Sequence, residues 1–319
     1  MSDRIFLGSI IDVDNSYYKS VMKLALITKK ESYHPYGGII NSLAQDTDFI
    51  YVGGVTLNTI IKLNKSDLSE VARSIVYGGA IKKIIVDDLF VYAAEANAII
   101  KLNKSDLSEV TQTLKGTCET LTQDALYIYI ASYNGVNNKV RKLNKSDLIE
   151  VGESLDYGNT IKAIHQDENY IYIAGDVPGK VKKLNKSDLI EVVAEYPGYG
   201  NTIYDLLIDI DYIYTVDNSG ILRKMLKTNL SVVEQIQTYE TVLFSIVGNG
   251  DYLYIAGNSG KILKILKSNL LIVAEGCSSI DNAIYSLIED GDYIYSGGVS
   301  QKVYNLENLY QLLGYKKIQ

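Results

Sequence analysis

A heptapeptide that recurs at a fixed spacing, short alternating segments between its copies, and Asp, Asn, Gly and Ser at every junction together predict an all-β protein. The expected form is a single β-propeller of eight four-stranded blades. The heptapeptide Lys62-Leu63-Asn64-Lys65-Ser66-Asp67-Leu68 recurs letter for letter from Lys101, Lys142 and Lys183. Degenerate copies end at Leu230, Leu270 and Leu309, so the final leucines from Leu68 onward lie 39, 41, 41, 41, 40 and 39 residues apart. Lys23 opens KLALITK one spacing upstream of Lys62, a weak eighth copy. The rungs of a β-solenoid are shorter, and serial sandwiches do not repeat at about 40 residues.

Each unit reads as four strands. In the fifth, TIKAIHQD is strand A, YIYIAG strand B, KVKKLN strand C and LIEVVAEY strand D. Alternation, β-branched residues and Tyr favour strands, and no segment has a convincing helical period. Pro35, Pro178 and Pro197 all fall in predicted loops, where a missing N–H does little harm. The units run approximately over residues 5–36 with 315–319, 39–77, 80–115, 117–156, 161–196, 202–239, 241–276 and 283–314, in one domain over 1–319. Strands B and C occur eight times but strand A only seven. GYKKIQ at the C-terminal end is similar to GAIKKI around Ile81, so residues 315–319 are expected to supply the missing strand and close the ring by joining the two ends. Seven blades with a loose N-terminal segment is the alternative.

In this register Asn64–Asp67 forms the turn between strands C and D, and Leu63 and Leu68 point into the layers between blades. The succession YIYIAG then KVKKLNKSDL resembles quinoprotein-type and YVTN-type bacterial propeller repeats over nearly the whole chain. The resemblance implies the fold. The docking Trp and Thr-Gly turn of that family are missing, so it carries over no quinone or calcium ligand, and no cofactor is expected. The Lys/Asn/Ile/Tyr-rich text is also similar in style to tandem propellers of phage and prophage tail regions of low-GC Gram-positive bacteria.

At 319 residues the chain can bury roughly 75% of its unfolded surface, so it needs no disulfide or metal to fold. A net charge of −7 offers no long-range attraction for nucleic acid or anionic lipid. The first residues lack a basic segment followed by an apolar one, so no signal peptide is expected, and no run approaches the length of a membrane span. The expected location is a virion or phage-like particle, or the cytoplasm. Cys118 and Cys277 lie in different repeats and make no disulfide framework.

Catalysis is not expected. His34 and His165 have neither metal-ligand spacing nor a nearby nucleophile. Glu119, His165 and Asp205, on different A strands, are the one set an enzyme reading would use. Asp46 and Asp48, Asp87 and Asp88, Asp124, Asp167, Asp209 and Asp211, Asp251, and Asp290 and Asp292 at the A–B turns could attract cations, but Asp is also what such turns select. On the opposite face, D–A loops place Tyr36, Tyr77, Tyr157 and Tyr199 beside Gly, with Tyr239 at the matching place and Asn159 and Asn201 nearby. A ring of tyrosines offers apolar faces and hydroxyls to a ligand, or else caps the packing layer. The expected function is a non-enzymatic recognition module, with a repetitive cell-surface glycan as ligand and a phage-like tail as carrier. The alternative is a scaffold propeller that binds protein partners in a bacterial or virion assembly.

Overall fold

The computed structural model describes residues 29–114, 116–133, 135–276 and 282–307. Strand β1 (Lys29–Pro35) precedes the first complete sheet, β2 (Ile40–Gln45), β3 (Phe49–Gly54), β4 (Ile60–Asn64) and β5 (Glu70–Arg73). The second sheet is β6 (Ile81–Val86), β7 (Phe90–Glu95), β8 (Ala98–Asn103) and β9 (Glu109–Leu114). The third is β10 (Thr117–Gln123), β11 (Tyr127–Tyr133), β12 (Asn138–Asn144) and β13 (Glu150–Glu153). The fourth is β14 (Ile161–Gln166), β15 (Tyr170–Gly175), β16 (Val181–Asn185) and β17 (Val192–Tyr196). The fifth is β18 (Ile203–Ile208), β19 (Tyr212–Asp217), β20 (Ile221–Leu226) and β21 (Val232–Gln237). The sixth is β22 (Leu243–Asn249), β23 (Tyr252–Gly257), β24 (Ile262–Leu266) and β25 (Ile272–Glu275). The last holds β26 (Ile284–Glu289), β27 (Tyr293–Gly298) and β28 (Lys302–Glu307), with β1 as its fourth strand.

The described residues therefore form a β-propeller of seven four-stranded blades, the alternative count, where eight were expected. The inner strands touch in chain order and β26 touches β2, a junction at which the Leu43 amide donates to Ser286 Oγ at 2.9 Å. β1, expected as part of a blade of its own, pairs antiparallel with β28 instead, His34 opposite Val303. The rest of the expected first blade, residues 5–28, and its partner segment 315–319 lie outside the described residues. The last heptapeptide copy also shifts. Tyr295 pairs with Asn305 as Tyr254 pairs with Lys264, so the copy begins at Asn305, two residues later than an ending at Leu309 requires.

Burial explains the strand patterns. Second strands are covered on both faces by neighbouring blades and read as unbroken apolar runs, as in YIYIAG. Outer strands are sheet edges and stay mostly exposed. The core is a set of layers between blades. In one, Tyr129, Ala131 and Val140 of the third blade pack on Ile161, Ile164 and Leu184 of the fourth.

Candidate functional site

The heptapeptide is an inter-blade clamp. Within the turn, Asn64 Oδ1 accepts the Ser66 amide at 3.1 Å and Asp67 Oδ1 accepts the Ser69 amide at 2.9 Å. The final leucine takes a left-handed conformation in every described copy, φ +59° at Leu68 and +61° at Leu189. A left-handed non-glycine residue costs roughly 1–2 kcal/mol, which burial of the leucine side chain offsets. The first lysine crosses to the next blade: Lys62 Nζ donates to the Lys104 carbonyl at 2.9 Å and lies 4.0 Å from the centre of the Phe49 ring. The second lysine reaches back, so that Lys104, Lys145, Lys186 and Lys227 pair with Asp46, Asp87, Asp124 and Asp167 at 3.0, 3.1, 3.0 and 3.0 Å. Lys267–Asp209 and Lys65–Asp290 continue the ring. At the sixth blade Asn249 replaces the aspartate and its amide donates to Glu289 at 2.6 Å.

These aspartates are already engaged. Asp124 accepts the Leu126 and Tyr127 amides through Oδ1 and the Tyr129 hydroxyl and Lys186 through Oδ2. Burial alone would raise its pKa, but these donors together hold the carboxyl below its ordinary value. The acidic ring is turn and clamp chemistry. An open depression of about 560 Å³ on this face is lined by the same Asp124, Asp167 and Lys186. A double-mutant cycle on Lys186→Ala and Asp124→Asn should give a coupling of about 1 kcal/mol in urea unfolding, because both groups are mostly shielded. Additivity within error would remove the clamp.

The structure turns the expected tyrosine ring inward. Tyr36 is 1% exposed and its hydroxyl donates to the Thr59 carbonyl at 2.8 Å. Tyr77 and Tyr157 are buried as well, the latter donating to the Lys180 carbonyl at 2.7 Å. Burial, with the Glu109 charge, pushes the Tyr77 hydroxyl up to about 12. Tyr199 is held between Tyr196, stacked at 4.4 Å, and the Arg223 guanidinium, 3.8 Å from its ring centre. Tyr239, 51% exposed, donates to Glu275 at 2.6 Å. The side-chain amides of Asn159 and Asn201 brace loops through the Val177 carbonyl and Ser219 Oγ at 2.8 and 3.0 Å. Tyr36, Tyr77, Tyr157 and Tyr199 cap the packing layers, so these four buried or sandwiched rings cannot present a common face to a ligand, whereas Tyr239 stays half exposed.

The other singled-out residues are scattered. Asp205 Oδ2 accepts the Ile246 amide of the next blade at 3.1 Å, and burial raises its pKa. His165 is lowered to about 4 by burial and then by the Lys83 charge. His34 stands 3.7 Å from Glu70, and burial lowers its pKa in spite of that partner. Cys118 is buried, its thiol donating to the Gly116 carbonyl at 3.4 Å, and Cys277 lies outside the described residues. Among the described residues no group of three or more His, Cys, Asp or Glu is placed to hold a metal.

One set of residues escaped the sequence reading. In every blade the pairing of the first two strands skips one residue, as between Ile40/Gly54 and Ser42/Gly53. A β-bulge of this kind turns the skipped side chain out of the ladder. The skipped residues are Asn41, Lys82, Glu119, Lys162, Tyr204, Phe244 and Tyr285. They meet around the channel mouth on the face of the D–A loops. Glu119 lies 3.9 Å from Lys82 and 3.6 Å from Lys162. Across the ring, Phe244 makes edge contacts with Tyr204 at 5.0 Å and Tyr285 at 4.9 Å between ring centres. Comparing second positions of strand A down the repeats shows the change from charged to aromatic, but not the bulge that aims them.

No protein-family model matches the chain, and no curated protein compared with it matches. Among solved structures, the computationally designed Ika8 protein is similar with a TM-score of 0.68 at 10% identity, covering 88% of this chain and 99% of the designed one. At that identity the likeness shows the fold alone.

Proposed function

We propose that this propeller is a non-enzymatic interaction module that holds protein partners on its rim. The observation that carries the reading is a repeated apolar position on the outer strands: Val71, Val110, Val151, Val193 and Val233 are between 39% and 51% exposed at the same place in five consecutive blades, each the residue that the pairing of the third and outer strands skips. Each stands on a sheet edge, whose unpaired backbone groups and aliphatic side chains suit a protein surface. Five similar weak contacts on one rigid ring add by avidity. A repetitive cell-surface glycan bound by a phage-like tail particle is the second reading. It rests on the resemblance to quinoprotein-type, YVTN-type and phage-tail repeats and on the exposed Tyr239 and Tyr133.

The test compares the wild-type chain with a Val71→Thr/Val110→Thr/Val151→Thr/Val193→Thr/Val233→Thr variant of equal melting temperature, in affinity capture from bacterial lysate and on purified Gram-positive cell wall. Saturable capture of a defined protein that falls at least about 10-fold in the variant supports the rim. Equal capture by both refutes it, and retention on cell wall that is lost with Tyr239→Ala moves the assignment to the glycan reading.

A further inference from the structure

We propose that the channel mouth formed by the seven bulged residues is a binding site for a small aromatic carboxylate, its ring against Phe244 and its charge between Lys82 and Lys162. The site is distinct from the rim. Consecutive blades divide it into two arcs. Blades two to four contribute Lys82, Glu119 and Lys162, and blades five to seven contribute Tyr204, Phe244 and Tyr285. The remaining bulged residue, Asn41, is tied down by its amide, which donates to the Ile81 carbonyl at 3.0 Å.

Charge and shape select the ligand class. Two ammonium groups share the single Glu119 carboxylate, so the polar arc keeps an excess positive charge facing the opening. All three of these side chains are 19% to 34% exposed, shielded enough to bind and open enough to be reached. Lys83, on the same inner strand as Lys82, shares its layer with the Asp205 carboxylate, which attracts it, so that deeper layer adds no clear excess of either sign and the positive excess rests on Lys82 and Lys162. A cation would meet this excess charge unfavourably. The aromatic arc is set edge to face, with interplanar angles of 61° and 84°, so a flat apolar ring continues its alternation. A simple anion would leave that arc unused.

The probe is 1-naphthoate, titrated by calorimetry into the full chain beside the neutral 1-naphthalenemethanol. The expected result is saturable binding of one naphthoate per chain at about 1 mM or tighter, several-fold weaker for the alcohol and weakened by salt. Phe244→Ala should weaken it about 10-fold, and Lys82→Gln/Lys162→Gln by roughly 5-fold or more. Glu119→Gln preserves shape and removes the competing charge, so it should tighten binding about 3-fold. This variant keeps the test decisive if the aromatic one unfolds. Absence of saturable binding, indifference to the lysine and phenylalanine replacements, or weaker binding by Glu119→Gln would each overturn the assignment.

Discussion

Replacing Arg223 with alanine should lower the free energy of unfolding by about 3–5 kcal/mol. Its partner Asp217 is 0% exposed and Arg223 4%, and the guanidinium Nη1 donates to Asp217 Oδ2. Asp217 Oδ1 accepts the Ser219 amide at 2.9 Å, the Ser219 hydroxyl at 2.8 Å and the Ile221 amide at 3.0 Å. Removing the arginine strands a carboxylate that neither water nor another cation reaches, and it also uncovers one face of Tyr199. The sixth blade has Gly257 and Leu263 where the fifth has Asp217 and Arg223, as the strand registers show. An Asp217→Gly/Arg223→Leu double replacement should therefore regain more than half of the loss in urea unfolding. A single Arg223→Ala variant within about 1 kcal/mol of wild type would mean the pair is not the buried ion pair described.

Gly175→Ala should cost about 3 kcal/mol and Gly152→Ala nothing. A methyl group at Gly175 would fall 2.0 Å from the Thr160 carbonyl oxygen, next to the bulge that re-aims Lys162, so the backbone itself must move. Gly152 on outer strand β13 has no atom within 4 Å of that position, and a residue there gains up to about 0.5 kcal/mol from a stiffer unfolded chain. Paired melting curves of the two variants check this. Equal stability would show that the A–B pairing relaxes around the added methyl.

Parts of the candidate site were legible in the sequence and parts were not. Asn64 and Asp67 act as their chemistry suggests, because each accepts a backbone amide two residues on and needs no distant partner, while the Ser66 hydroxyl donates to the Asn64 side chain. Leu63 and Leu68 pack between blades as the register required. The tyrosines of the D–A loops were ambiguous for a physical reason: the same ring beside glycine can face outward or cap a layer, and only the neighbouring blade decides. For Tyr199 that decision was made by Arg223, 24 residues on. Asp124 likewise looked like a turn residue, and is one, but its second oxygen is held by Lys186 of the next blade.

By itself the sequence determined that this chain is all-β, that its unit is a four-stranded blade of about 40 residues, and that the repeated heptapeptide is a turn. Those features rest on alternation, β-branched residues and local hydrogen bonds, which act over a few residues. Only the tertiary structure decided the blade count, the use of Lys29–Pro35 as the outer strand of the last blade, the inward turn of the tyrosines and the seven bulged side chains at the channel mouth. Each of these depends on strand register or on contact between segments far apart in the chain. A slip of one residue reverses which way every side chain points.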